Sequence, residues 1–191
     1  MTMAPRHTQT DETDDDPAVL TAVSCGSSKK NIAGIETVPA RELYDSPAHT
    51  CKDRFGRHSA GYYIMSARHG LIHYSERIGY YDELLDNKSD EEIRQWGREV
   101  ADDLASAVAA EGYDAVVLIG SKTYVEAVLP HASQLAVPVL TPWQTDDYVT
   151  GIGCAMSWCT DESNWPTNID DIQEIGEKRT DLQQSGVSSD A

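Results

Sequence analysis

Two stretches of this chain place chemically useful side chains directly after an apolar run. Ala18 to Val23 (AVLTAV) leads into Ser24-Cys25-Gly26-Ser27-Ser28-Lys29-Lys30, and Tyr62-Tyr63-Ile64-Met65 leads into Ser66-Ala67-Arg68-His69-Gly70. Open α/β sheets bind ligands just beyond the carboxyl ends of their strands. Polar groups at two such ends therefore define a candidate site. Cys25 has the chemistry of a nucleophile, its thiolate favoured by a nearby lysine. Lys29 supplies charge for a phosphate or carboxylate, or an amine nucleophile once desolvated. Ser66, with the backbone around Ala67, suits an oxyanion. Cys25, Lys29 and Ser66 are the catalytic candidates. The plainer alternatives are a buried cysteine closing a strand and an ordinary βα turn with a serine cap and a left-handed glycine.

The ligand-binding candidates surround these three. Small residues in the first loop let the backbone curl, so that N–H groups near Ser27, Ser28 and Lys30 aim at an anion. The loop lacks the Gly-Lys-Ser/Thr ending of a Walker sequence. A helix starting near Pro39 would carry Arg41, Tyr44 and Ser46 to the rim. Ala67 and Gly70 belong to the second loop, and Tyr81 is suited to stacking on a planar base or donating a proton. Gly120 and Ser121 follow a third apolar run and are expected on the same sheet edge. His69 and His73 have a metal-ligand spacing, but Gly70 lies between them and no acidic third ligand is near. No metal and no cofactor is assigned.

The elements that must position these residues alternate between strand and helix. Strands are expected near 18–24, 61–66, 114–119 and 137–141, with Pro138 marking an edge. From Asp114 the strand runs to Ile119, apolar without interruption after its first residue, as in parallel strands covered on both faces. Ser46-Pro47 either interrupts the helix that begins at Pro39 or starts a second one. Ser89-Asp90-Glu91-Glu92 has the form of a capping box. The apolar positions Ile93, Trp96, Val100, Leu104 and Val108 then recur at helical spacing up to Gly112. A further helix is expected from Gly151 to Trp158. The fold expected is a three-layer α/β sandwich with a mainly parallel sheet of at least four strands.

The chain has 191 residues and a net charge of −17. The first sixteen residues carry −4 (one Arg against five acids) and residues 160–191 carry −6 (two bases against eight acids), leaving −7 on the core. Segments 1–16 and 163–191 are poor in apolar residues and are expected to be disordered tails, flanking a domain over 17–162. So negative a surface disfavours nucleic acid unless a local basic patch overrides it. The acidic excess also resembles the proteins of halophilic archaea, whose molar salt screens that repulsion. No secretory signal, membrane span or CxxC spacing is read. The expectation is a cytoplasmic protein with reduced thiols; its oligomeric state is not legible.

The ordered motifs resemble the YaaA superfamily of peroxide-stress proteins, and still more its short relatives of unknown function. They comprise Cys25 with Lys29; Pro39, Ala40, Leu43, Tyr44 and Ser46; Tyr63, Ser66, Ala67, Gly70 and Leu71; Tyr81, Asp82 and Leu85. Trp96, Tyr124 and the closing Gly151, Gly153 and Met156 complete them, over residues 18–160. The inserted helix-hairpin-helix region of the longer relatives is absent, so DNA binding does not carry over. A weaker likeness to the core of archaeosine synthase, through Cys25, Lys29, Tyr44, Ser46 and His49, suggests nucleobase chemistry. The expected function is an enzyme acting on a nucleoside, nucleotide or nucleobase-like small molecule at the strand ends. The alternative is a non-catalytic protein that binds DNA or a partner in oxidative-stress protection.

Overall fold

The computed structural model describes residues 17–32, 36–145 and 151–165. The expected tail 1–16 and residues 166–191 of the other tail lie outside these. Strand β1 (Val19–Ser24) leads through β2 (Val38–Pro39), α1 (Ala40–Leu43) and α2 (Pro47–Gly56) to β3 (Gly61–Ser66). Then follow β4 (Gly70–His73), β5 (Arg77–Ile78), α3 (Asp90–Glu111), β6 (Ala115–Ile119) and α4 (Lys122–Val128). The described chain ends with β7 (Val139–Leu140), α5 (Pro142–Thr145) and α6 (Ile152–Thr160).

The main sheet has five strands in the order β4-β3-β1-β6-β7. Strands β3, β1, β6 and β7 are parallel, and β4 is antiparallel to β3. Every residue of β1 and β6 is buried, because helices cover both faces. Helices α2 and α6 pack together on one side, with Phe55 stacked on Trp158, while α3 and α4 pack together on the other. This is the three-layer α/β sandwich, and its four parallel strands match the expected runs. Strand β7 occupies the edge, directly after Pro138.

Helix boundaries follow local chemistry. Ser46 caps α2 by accepting the His49 N–H, which makes Ser46-Pro47 the start of a second helix. Ser89 and Glu92 form a reciprocal capping box on α3, and Gly112 closes it in the left-handed region at φ 73°. The Trp96 indole N–H donates to the Ser66 carbonyl at 2.9 Å, tying α3 to the end of β3.

Two expectations are corrected. The segment after Ser66 is not a βα loop but a hairpin: Ala67-Arg68-His69 turn the chain into β4, with Ser66 opposite Gly70. Gly70 has φ 70°, the left-handed residue such three-residue turns require. The packed domain also extends past residue 162. Trp165 is buried, stacks on His58 with ring centres 3.6 Å apart, and donates its indole N–H to the Cys159 carbonyl.

Candidate functional site

Because β1 and β6 are parallel and adjacent, their carboxyl ends lie side by side. From β1 the chain leaves toward β3, and from β6 it leaves toward β7. The connections diverge there, which makes these strand ends a switch point, the place where open α/β sheets bind ligands. One hydrogen bond spans it: Cys25 Sγ lies 3.2 Å from the hydroxyl of Tyr124 on α4. Gly120 permits the close approach of the two strands, since a Cβ there would sit 2.7 Å from Ser24 Cβ. The expected placement of Gly120 on this edge therefore holds. Its carbonyl accepts from the Gln144 side chain, while Ser121 is exposed at the start of α4.

A chain of hydroxyls lies next to this contact. Tyr44 and Tyr81 are joined through their hydroxyls at 2.7 Å, and Tyr81 reaches Ser66 Oγ at 2.9 Å. Lys29 Nζ lies over the Tyr81 ring, 4.4 Å from its centre. That ammonium is buried and has no hydrogen-bond partner among the described residues. Burial, and then the Cys25 sulfur, raise the pKa of Tyr44, Tyr81 and Tyr124. All three phenols stay protonated at neutral pH and are available as donors.

Behind β1 lies a second buried amine. Lys52 of α2 donates to the Ser24 carbonyl and, at 2.9 Å, to Ser24 Oγ. Desolvation pulls its pKa down to about 8, against the opposing pull of Cys25 and Cys159. His49, also on α2, packs its ring 4.9 Å from that of Tyr44. Neither His49 nitrogen makes a hydrogen bond of normal geometry. Burial, and then the charge of Lys52, hold its pKa down at about 3, so the ring is neutral. None of Lys29, Lys30, Lys52 or Arg41 joins an ion pair among the described residues. Of these, the Lys29 ammonium is the buried one without a hydrogen-bond acceptor among the described residues.

The predicted residues fall into two groups. Cys25, Lys29, Tyr44, Ser66 and Tyr81 converge. The rest have other tasks. The loop after β1 is not a curled nest: Lys29 bridges Tyr44 in antiparallel fashion, the Lys30 N–H donates to the Leu43 carbonyl, and the Ser28 carbonyl accepts from Asp45. Ser27, Ser28 and Lys30 are exposed along it. Arg41 is directed over the Tyr74 ring, and Ser46 is occupied as the α2 cap. Ala67 is buried inside the hairpin, and Gly70 faces Asp103 of α3. Ser66 Oγ accepts the N–H groups of Arg68 and His69, so it organises the turn instead of facing an oxyanion directly.

Lys52 was not foreseen. A single lysine in a short helix carries no sequence signal of burial; its contact with Ser24 follows from how α2 docks. No group of three His, Cys, Asp or Glu residues capable of holding a metal occurs among the described residues. His73 bonds Ser75, and His69 packs edge-on against Tyr81. No helix among the described residues is long and apolar enough to cross a membrane.

Residues 20–160 match a family of unknown function, DUF6884, and the chain belongs to that family. This corrects the resemblance to the YaaA superfamily, since the family matched is a different one and no YaaA-related family accompanies it. The stress-protection role implied by that resemblance loses its basis with it. No curated protein and no solved structure matches the chain.

Proposed function

We propose that the crevice at the ends of β1 and β6 binds a nucleoside, nucleotide or nucleobase-like small molecule carrying negative charge, and that the protein is an enzyme acting on it. The observation that carries this reading is the Lys29 ammonium: buried, set against the face of Tyr81, and without an acceptor among the described residues. Leaving a buried charge without hydrogen bonds costs several kcal/mol. An anionic group would supply the missing acceptors.

Cys25 is the nucleophile in this reading. The Tyr124 hydroxyl accepts the Leu85 N–H at 3.3 Å, which leaves its own proton to donate to the sulfur. Cys25, Cys51 and Cys159 are free thiols, as suits a reducing cytoplasm. The test is a thermal-shift screen of the full chain against nucleotides, deazapurines and sugar phosphates. A ligand at a hundredfold excess over its Kd stabilises the native state by about 2.7 kcal/mol. A specific shift, lost in Lys29→Met, supports the reading; the absence of any shift across the three classes refutes it.

A further inference from the structure

The hydroxyls of the site can be ordered by counting protons and lone pairs. Ser66 Oγ accepts two backbone N–H groups, from Arg68 at 3.3 Å and His69 at 3.1 Å, which engages both its lone pairs. Toward Tyr81 it has only its proton to offer, so Ser66 donates and Tyr81 accepts. Tyr81 is then left to donate to Tyr44, 2.7 Å away. The Lys29 cation over the Tyr81 ring draws electron density from it and strengthens that phenol as a donor. The same polarity shows in the ionisation of Tyr44: burial raises its pKa, whereas the hydrogen bond from Tyr81 works to lower it.

The order Ser66 to Tyr81 to Tyr44 leaves one proton uncommitted, that of Tyr44, and no acceptor for it occurs among the described residues. Lys29 and Tyr44 are opposite partners in a backbone bridge, so their side chains stand next to each other. Both converge on Tyr81, one over its ring and the other at its hydroxyl. We propose that this edge receives a single oxyanion, a carboxylate or a phosphate group of the ligand, held between the Lys29 ammonium and the Tyr44 hydroxyl. The proposal rests on the reading of the crevice as a small-molecule site and names the group that anchors the ligand. Tyr81 and Ser66 act as positioning residues, since they set the direction of the Tyr44 proton without touching the anion.

Calorimetric titration of the full chain with AMP, adenosine, inorganic phosphate and acetate tests it. AMP should bind at least about tenfold more tightly than adenosine, one charge-assisted hydrogen bond being worth that much. Phosphate competing with AMP identifies a phosphate site, and acetate competing instead identifies a carboxylate site. Tyr44→Phe should lose about tenfold in AMP affinity while leaving adenosine unchanged. Tyr81→Phe should lose less, and supplies the same test if Tyr44→Phe does not fold. Unaltered AMP binding in Tyr44→Phe overturns the proposal. Equal binding of AMP and adenosine overturns it too, yet leaves the small-molecule reading standing. A chain that binds none of the four probes overturns both.

Discussion

Lys29 and Lys52 bury their ammonium groups near the end of β1 and meet opposite fates. Lys52 reaches β1 from α2 and finds two acceptors on Ser24. Lys29 approaches from the loop and, among the described residues, finds the face of Tyr81 and no acceptor. The protein itself compensates the first charge. The second is left for something else. Buried amines are thus not equivalent as evidence of function: a lysine whose donors are taken by the backbone belongs to the architecture, and one whose donors point at nothing marks a ligand.

The contrast can be broken most severely at Lys52. Lys52→Met strips the Ser24 carbonyl and hydroxyl of their donor and should destabilise the chain by about 3 kcal/mol in urea unfolding. The deficit should also depend on pH. The folded pKa of Lys52 lies at about 8 and the ordinary lysine value at 10.5. Between these the unfolded chain binds more protons, so the contribution of Lys52 to stability rises with pH through that window. Lys52→Met should therefore be further below the wild type at pH 10 than at pH 7. A deficit that shrinks toward pH 10 would show instead that the folded pKa of Lys52 lies above the ordinary 10.5, its ammonium stabilised by folding and not penalised by burial.

A smaller effect is expected at Gly120, where a methyl group would press on Ser24 and hence on the acceptors of Lys52. Gly120→Ala should cost about 2 kcal/mol of stability. Nucleotide binding measured by calorimetry should change far less than in Lys29→Met, because Gly120 does not touch Lys29 or Tyr44. Equal loss of binding in the two variants would dissolve the separation between the two amines. Smallest in stability is Lys29→Met itself. Without ligand it removes an uncompensated buried charge and should raise the unfolding free energy by about 1 kcal/mol. A loss comparable to that of Lys52→Met would make Lys29 a structural residue as well.

The difference between the two lysines marks how far the sequence could be read. The uninterrupted apolar runs at β1 and β6 signalled doubly covered parallel strands, and strand alternation then placed Cys25, Lys29 and Gly120 on one edge. The capping residues Ser89 and Gly112 were legible because helix ends are governed by neighbours in sequence. The hairpin at Ser66–Gly70 was not, since a glycine after a short polar run is compatible with both a βα turn and a β turn. The choice depends on whether Leu71 to His73 finds a partner strand. The contact between Cys25 and Tyr124 joins residues 99 apart, and the bond from Lys52 to Ser24 depends on the rotation of α2. Both are consequences of packing, which single residues do not announce.

The most direct test observes the two amines in one experiment. Lysine ammonium resonances can be recorded by 15N NMR on the full chain, with Lys29 and Lys52 assigned from their Met variants, during a titration with AMP. Lys52 should give a protected signal at the outset, because its protons are held by Ser24, and should not move. The Lys29 signal should shift along a saturable curve and gain protection as its donors find the anion. A Lys29 resonance that stays fixed while AMP binds, or a Lys52 resonance that moves in its place, would contradict the assignment of Lys29 as the anchor of the ligand.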